Sequence, residues 1–219
     1  MLKKIDFFYP RLINPQEQNM YQIAENKSLE LEIINHKTLN VQRSIQELSA
    51  LYKSIFSEPP YNEDFDMDEL ITSFTKQLES NTIILLKVSN LTQGFILLEH
   101  GYNCHVLSET ITEELNNIDF DIKNSIYIAD IGVSKNMRGR GFGKSLMTYI
   151  ITKYGSKNPL YLRTGKFNND KTILFYEKLG FDNVNIEEDV ENLRTDGTIS
   201  DDKRIYMIRE MDNHINSVT

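Results

Sequence analysis

The chain has 219 residues, 40% of them hydrophobic and 10% aromatic, which is enough apolar content to bury one substantial globular core. A formal net charge of -8 opposes nonspecific binding to nucleic acid or to anionic membranes, and no apolar run is long enough to span a bilayer. One cysteine, Cys104, excludes an intramolecular disulfide framework, and no Cys/His group has metal-ligand spacing, so no metal is expected.

In chain order, residues 1–28 read as an N-terminal extension with aromatic Phe7, Phe8 and Tyr9. Its Met1-Leu2-Lys3-Lys4 start runs through Ile5 into Asp6 and Tyr9-Pro10 without an apolar signal core, which points to a cytoplasmic protein. Leu29 to Ile34 alternates as a strand. Val41, Ile45, Leu48, Tyr52 and Ile55 make a helical stripe, and Met67, Leu70, Ile71, Phe74 and Leu78 a second, capped by Asp66 with Glu69 at N3. Between them lies the diproline loop Ser57 to Asn62. Asn81–Val88 and Gly94–Glu99 flank a polar turn, so an antiparallel pair is expected.

The segment from about Cys104 to Asn124 is longer than a connection between neighbouring strands needs, and it either shapes a binding site or pads the edge of the core. Ile126–Val133 reads as a mostly buried strand. Phe142, Leu146, Met147, Ile150, Ile151 and Tyr154 then recur at helical spacing. A strand at Pro159–Thr164 and a helix reaching Leu179 follow. The polar stretch Glu187 to Asp202 reads as a mobile loop with an Asp196-Gly197 turn, before a final strand at Arg204–Ile208 and a tail at 214–219.

The most informative element is Arg138-Gly139-Arg140-Gly141-Phe142-Gly143-Lys144, followed by Ser145, because it joins a strand to a helix. Glycines there let the backbone approach a ligand, and the first N–H groups of the helix point at it with the positive dipole end behind them. An anion is the expected guest. A P-loop would need glycine at Arg138, and a dinucleotide fingerprint starting at Gly139 would need glycine at Lys144, so neither fits.

What remains, Arg138-x-x-Gly141-x-Gly143, resembles the pyrophosphate-cradling turn of the GNAT superfamily of N-acetyltransferases. A second segment, Asn169-x-x-Thr172-x-x-x-Tyr176-Glu177-Lys178-Leu179-Gly180-Phe181, resembles the closing motif of the same family, with Thr172 in place of the usual alanine. Its local chemistry is self-consistent: Asn168 or Asn169 can cap the helix and Gly180 suits the left-handed C′ position. The strong resemblance runs from Ile126 to Asn183. It implies an α/β (α+β) fold over residues 29–213, with a mixed, mainly antiparallel central sheet, splayed parallel strands at the cofactor site and flanking helices.

The resemblance also implies acetyl-CoA as cosubstrate, bound by Ile131, Gly132, Val133, the Arg138–Ser145 turn, Asn169 and Tyr176. Tyr176 matches the general acid of the family; a phenol with an unperturbed pKa of about 10 stays protonated at neutral pH and can protonate a departing thiolate. The Val133 N–H is the oxyanion candidate. Many members carry a base Glu where this chain has Tyr127. Asp130 is the nearest carboxylate, on the face opposite Tyr127 by alternation, and Glu99, His100 or Glu58 are further candidates acting through water.

The loop between the first two helices commonly lines the acceptor side in this family, which gives Glu58, Tyr61, Glu63 and Asp64. Their acidity suits the primary amine of a small cationic molecule, or else they are a solvated helix start. A protein N-terminus or lysine is the second acceptor class, and a silent acyl-CoA-binding regulatory module a third reading. No nucleic-acid or membrane partner is expected, and the chain is expected to be a monomer or homodimer.

Overall fold

The computed structural model of the protein describes residues 29–101, 104–105, 107–166 and 170–211. The extension at 1–28, the tail at 214–219 and the capping asparagines Asn168 and Asn169 lie outside the described residues. In chain order the elements are β1 (Leu29–Ile34), α1 (Val41–Phe56), α2 (Met67–Gln77), β2 (Thr82–Val88), β3 (Leu91–His100), α3 (Glu109–Asn117), β4 (Ile126–Val133), α4 (Phe142–Tyr154), β5 (Leu160–Gly165), α5 (Asp170–Glu177), β6 (Asp182–Leu193) and β7 (Ile199–Arg209). The strands form one sheet in the order β1-β2-β3-β4-β5-β7-β6. It is mostly antiparallel, with β4 and β5 parallel over the three pairs Ile126↔Leu160 to Ile128↔Leu162.

The hydrophobic periods place most elements to within a residue or three at each end. The α2 cap is as expected: the Asp66 carboxylate accepts from the N–H groups of Asp68 and Glu69. Two elements differ from expectation. The segment after Cys104 holds an element that the residue spacing does not announce: Ser108 caps the short helix α3, whose Ile111 and Leu115 are buried. The stretch expected to be a loop at Glu187–Asp202 is mostly strand, pairing β6 with β7 from Glu187↔Ile205 to Leu193↔Ile199. Its Asp196-Gly197 turn is present: Gly197 has φ +81, and the Thr198 N–H donates to Asp196 Oδ1 at 3.0 Å.

The described residues group into two compact units. The first comprises residues up to Ile55, Phe65–Leu97 and Asp130–Leu146. In it β1 and β2 pair from Leu29↔Val88 to Ile34↔Ile83, and Ile45 and Leu48 of α1 are fully buried. The Tyr52 ring packs against Phe65, Phe74 and Phe95 at centroid distances of 5.3, 5.3 and 5.6 Å. Beside this aromatic cluster Gly132 is sterically required, since a Cβ there would lie 2.5 Å from Phe95 Cε1 and 2.9 Å from Ile55 Cδ1.

The second unit comprises Phe56–Asp64, Leu98–Ala129 and the chain from Met147 onward. Its core joins Ile111, Leu115, Phe120 and Ile122 to Tyr127, Tyr161, Ile186 and Tyr206. The Tyr161 ring lies 4.9 Å from the Tyr127 ring at a 39° tilt and meets Phe120 edge-on at 5.5 Å. The segment 104–124 therefore covers the sheet face that carries the three tyrosines. Strand partners on that face continue from Arg163↔Tyr206 to Glu188↔Arg204, where apolar packing gives way to charge.

Replacing Gly132 by alanine should destabilise the protein by about 1–3 kcal/mol, because the Phe95 ring is in the path of the new methyl group. Urea unfolding measures this, and an unchanged midpoint would contradict the packing described.

Candidate active site

The glycine turn lies in the first unit. Gly139 and Gly141 adopt φ of +73 and +83, a left-handed conformation that L side chains rarely accept. The Ser145 N–H donates to Gly141 O at 2.9 Å, which fixes the start of α4 and leaves the amides of Phe142, Gly143 and Lys144 ahead of the first intrahelical acceptor. A Cβ on Gly139 would meet nothing within 4 Å, and one on Gly143 would meet only Val133 Cγ2 at 4.0 Å. Side chains at those two positions would fill open space over the helix N-terminus. Arg138 Nε donates to Val133 O at 3.1 Å, tying the turn to the end of β4, while Arg138, Arg140 and Lys144 are exposed. A basic, side-chain-poor helix start of this kind fits a pyrophosphate.

Tyr176 lies in the second unit and is buried. Its helix ends in a Schellman motif: Phe181 N–H donates to Tyr176 O at 3.1 Å and Gly180 N–H to Glu177 O at 2.9 Å, with Gly180 at φ +83. The Phe181 ring closes the motif 6.0 Å from the Tyr176 ring, and Arg209 Nε donates to Leu179 O at 3.1 Å. The sequence Tyr-x-x-x-Gly-Phe thus has a local reason for its spacing, and it fixes where the phenol emerges from the helix.

The carboxylates considered as bases have distinct surroundings. Asp130, in the first unit, accepts from Tyr52 Oη at 3.3 Å, so the residue faces the side of α1 and Phe95. Glu99, in the second unit, is 2% exposed and takes two contacts from His105: the backbone N–H at 2.9 Å and ring Nδ1 at 2.7 Å. Burial pushes the Glu99 carboxyl up, but the His105 hydrogen bonds outweigh it and hold it below its ordinary value of 4.5. His105, with a side chain 62% exposed, was not singled out in the sequence; its signal would have been a histidine six residues after a strand-end glutamate.

The loop expected to face the acceptor is docked on the β6–β7 hairpin. The Asp64 N–H donates to Leu193 O at 3.0 Å and the Thr195 N–H to Asn62 O at 2.8 Å, framing a bridge between Glu63 and Arg194. Tyr61 packs edge-on to Phe56 at 5.0 Å, and its carbonyl accepts from Arg194 Nη1. Glu63 Oε1 lies 3.6 Å from Arg204 Nη2. Burial raises the Glu63 carboxyl above its ordinary value despite Arg204 and Arg194 nearby. Glu58 is half-buried in this loop and Asp64 is exposed.

Next to it, on the tyrosine face, Arg163 Nη1 contacts Glu188 Oε2 at 2.7 Å and Tyr206 Oη donates to the same oxygen at 3.0 Å. Burial raises the Tyr206 phenol further above its ordinary value, and so does Glu188; burial likewise raises Tyr161. Both phenols stay neutral over the physiological range. Sequence reasoning missed this group, although an arginine inside the apolar run Tyr161-Leu162-Arg163-Thr164 is a legible signal. Among the described residues, no group of three or more His, Cys, Asp or Glu could hold a metal, and no helix is long and apolar enough to cross a membrane.

A model of the acetyltransferase (GNAT) family matches residues 46–181, more than half of the chain. The chain belongs to this family of acetyltransferases, which use acetyl-CoA as cosubstrate. No curated protein matches significantly. Solved structures share the fold. One is the ribosomal-protein-S18-alanine N-acetyltransferase from Escherichia coli, 15% identical with a TM-score of 0.56, covering 86% of this chain and 99% of its own. Another is Arabidopsis thaliana NAA60 in complex with a bisubstrate analogue, 18% identical with a TM-score of 0.57, covering 84% and 99%. A third is an N-acetyltransferase from Staphylococcus aureus Mu50, 15% identical with a TM-score of 0.53, covering 82% and 98%.

Because the folded Glu99 carboxyl titrates below its unfolded counterpart, its contribution to stability is present above pH 4.5 and fades as pH falls through the folded value. Glu99→Gln should therefore cost about 1.5–3 kcal/mol at pH 7, the range for hydrogen bonds to a charged group. Thermal unfolding of both proteins from pH 7 to pH 3 should show the gap narrowing with acidity. A gap constant with pH would remove the charge from this account.

Proposed function

We propose that the protein transfers the acetyl group of acetyl-CoA to a primary amine by direct attack, with residues 29–213 forming the transferase domain. The observation that carries this reading is the left-handed glycine pair at the start of α4, Gly139 and Gly141, within the region matched by the acetyltransferase family. In this reading the cosubstrate supplies an activated thioester. The Phe142–Lys144 amides with Arg138, Arg140, Gly143, Lys144 and Ser145 hold its pyrophosphate, the main chain of Ile131, Gly132 and Val133 orients the acyl arm, and Asn169 contributes to the same binding. The Val133 N–H stabilises negative charge on the carbonyl oxygen as the C–N bond forms and the C–S bond breaks, Tyr176 gives its phenolic proton to the departing thiolate, and the proton shed by the amine nitrogen passes through water to restore the phenol.

For the acceptor, the first reading is a small cationic amine met by Glu58, Tyr61, Glu63 and Asp64. Compensation of Glu63 by Arg204 shifts the attraction in this reading to Glu58 and Asp64. The second reading is a protein N-terminal amine. Its support is a structure of like fold named as a ribosomal-protein-S18-alanine N-acetyltransferase.

Two variants separate binding from chemistry. Gly141→Val should weaken acetyl-CoA by at least about tenfold in calorimetry, since a β-branched residue at φ +83 costs on the order of 1–3 kcal/mol and moves the backbone donors. Unaltered affinity would remove the turn from the cosubstrate site. Tyr176→Phe should lower kcat roughly a hundredfold with acetyl-CoA affinity nearly unchanged, because the hydroxyl acts as charge develops. An equal kcat where chemistry limits the rate would leave the tyrosine only its packing role.

A further inference from the structure

Arg194 stands at the tip of the β6–β7 hairpin, and its fork is used in three directions at once. Nε donates to Ser200 Oγ at 2.6 Å and Nη2 to Asp202 Oδ1 at 2.6 Å, both within the hairpin, while Nη1 reaches across to the carbonyl of Tyr61. The side chain is only 15% exposed. Main-chain bonds from Asp64 to Leu193 and from Thr195 to Asn62 run on either side of it, so the loop is laid against the hairpin like a short added strand. Asp202 also faces Arg204 at 3.4 Å, and Arg204 reaches Glu63 at 3.6 Å, closing a ring of alternating charge around the junction.

We infer that Arg194 is a positioning residue for the amine acceptor: it sets the place of Tyr61 and Glu63 by pinning the loop at 57–64 to the hairpin. The inference rests on the reading that this loop faces the acceptor. A short exposed loop held by a few main-chain bonds at one end explores many conformations, and fixing it before the substrate arrives removes that ordering cost from binding. The planar guanidinium suits the task because its donors diverge at fixed angles toward a hydroxyl, a carboxylate and a carbonyl. A lysine ammonium concentrates its donors at one point and cannot span the three. Neither Arg194 nor Tyr61 is among the residues read as holding the cosubstrate, so acetyl-CoA binding serves as the control.

The test uses the full chain and the best acceptor among spermidine, lysine and an alanine-initiated hexapeptide. Arg194→Ala should raise the KM for that amine roughly tenfold to a hundredfold, with a smaller change in kcat and unchanged acetyl-CoA affinity in calorimetry. Arg194→Lys should recover only part of the loss. Amide hydrogen exchange at Glu63, Asp64 and Thr195 should quicken in both variants without a change at β5. Should Arg194→Ala fold poorly, Arg194→Lys and Ser200→Ala carry the same comparison, the first replacing the fork by a single donor point and the second removing the partner of one arm. Tyr61→Ala tests the loop itself. If Tyr61→Ala raises the amine KM while the Arg194 variants do not, the inference about Arg194 is overturned and the loop reading stands. If neither changes it, both fall.

Discussion

A strand that becomes a helix through a glycine-rich turn must put its backbone donors somewhere, and that constraint organises the junction of β4 and α4. Helix geometry leaves the amides of Phe142, Gly143 and Lys144 without intrahelical acceptors, since the first such bond is Ser145 to Gly141. The left-handed Gly139 and Gly141 turn the chain tightly enough to aim those amides outward, and Arg138 anchors the turn to Val133. Gly132 contributes differently. Its missing Cβ is the space that Phe95 occupies, so one face of β4 is committed to packing and its role toward a ligand is restricted to the main chain. Conformation, helix dipole and local positive charge all favour the same kind of guest, an anion.

Along β6 the organising force is charge rather than apolar burial. β6 carries Glu187, Glu188 and Asp189 in succession, and cations stand against each: Lys166 and Lys203 at Glu187, Arg163 at Glu188, Lys203 at Asp189. Exposed pairs of this kind are individually weak, but the half-buried members, Arg163 with Glu188 and Arg194 with Asp202, also fix geometry through hydrogen bonds. The acidic balance of the chain is thus spent partly inside its own hairpin. An acidic stretch read in isolation suggests a surface for cations, whereas Glu63 shows a carboxylate whose neighbour Arg204 already answers it.

Legibility in the sequence follows the same division. Elements stabilised by apolar periodicity, such as α1 with Ile45 and Leu48 or β2 with Ile83 to Leu86, announce themselves in the residue spacing. So do features set by local backbone chemistry: the Asp66 cap, the left-handed Gly180, the glycine turn. β6 does not, because only Ile186 along it is buried, and its charged residues are answered by side chains of β5 and β7 such as Arg163 and Lys203. α3 was missed for a related reason, since Ile111 and Leu115 are too short a stripe to stand out until Tyr127 and Tyr161 provide the face they cover. The docking of residues 61–64 on Leu193–Thr195 depends on a contact across more than a hundred residues, and no local pattern encodes it.

The proton balance narrows what kind of amine suits such a site. A general base works best when its pKa lies near the working pH, and Glu99, Tyr161 and Tyr206 do not offer that match. Glu99 is held low by His105, which already occupies its oxygens, while Tyr161 and Tyr206 are raised far from neutrality. Asp130 engages Tyr52. An acceptor that sheds its own proton readily asks least of these groups. An α-amino group, with an ordinary pKa of about 7.7–8, is substantially neutral near pH 7.5, whereas an alkyl amine near 10.4 is almost wholly charged and must find a base first. In the proposed transfer, the demand on a base therefore rises with the basicity of the amine.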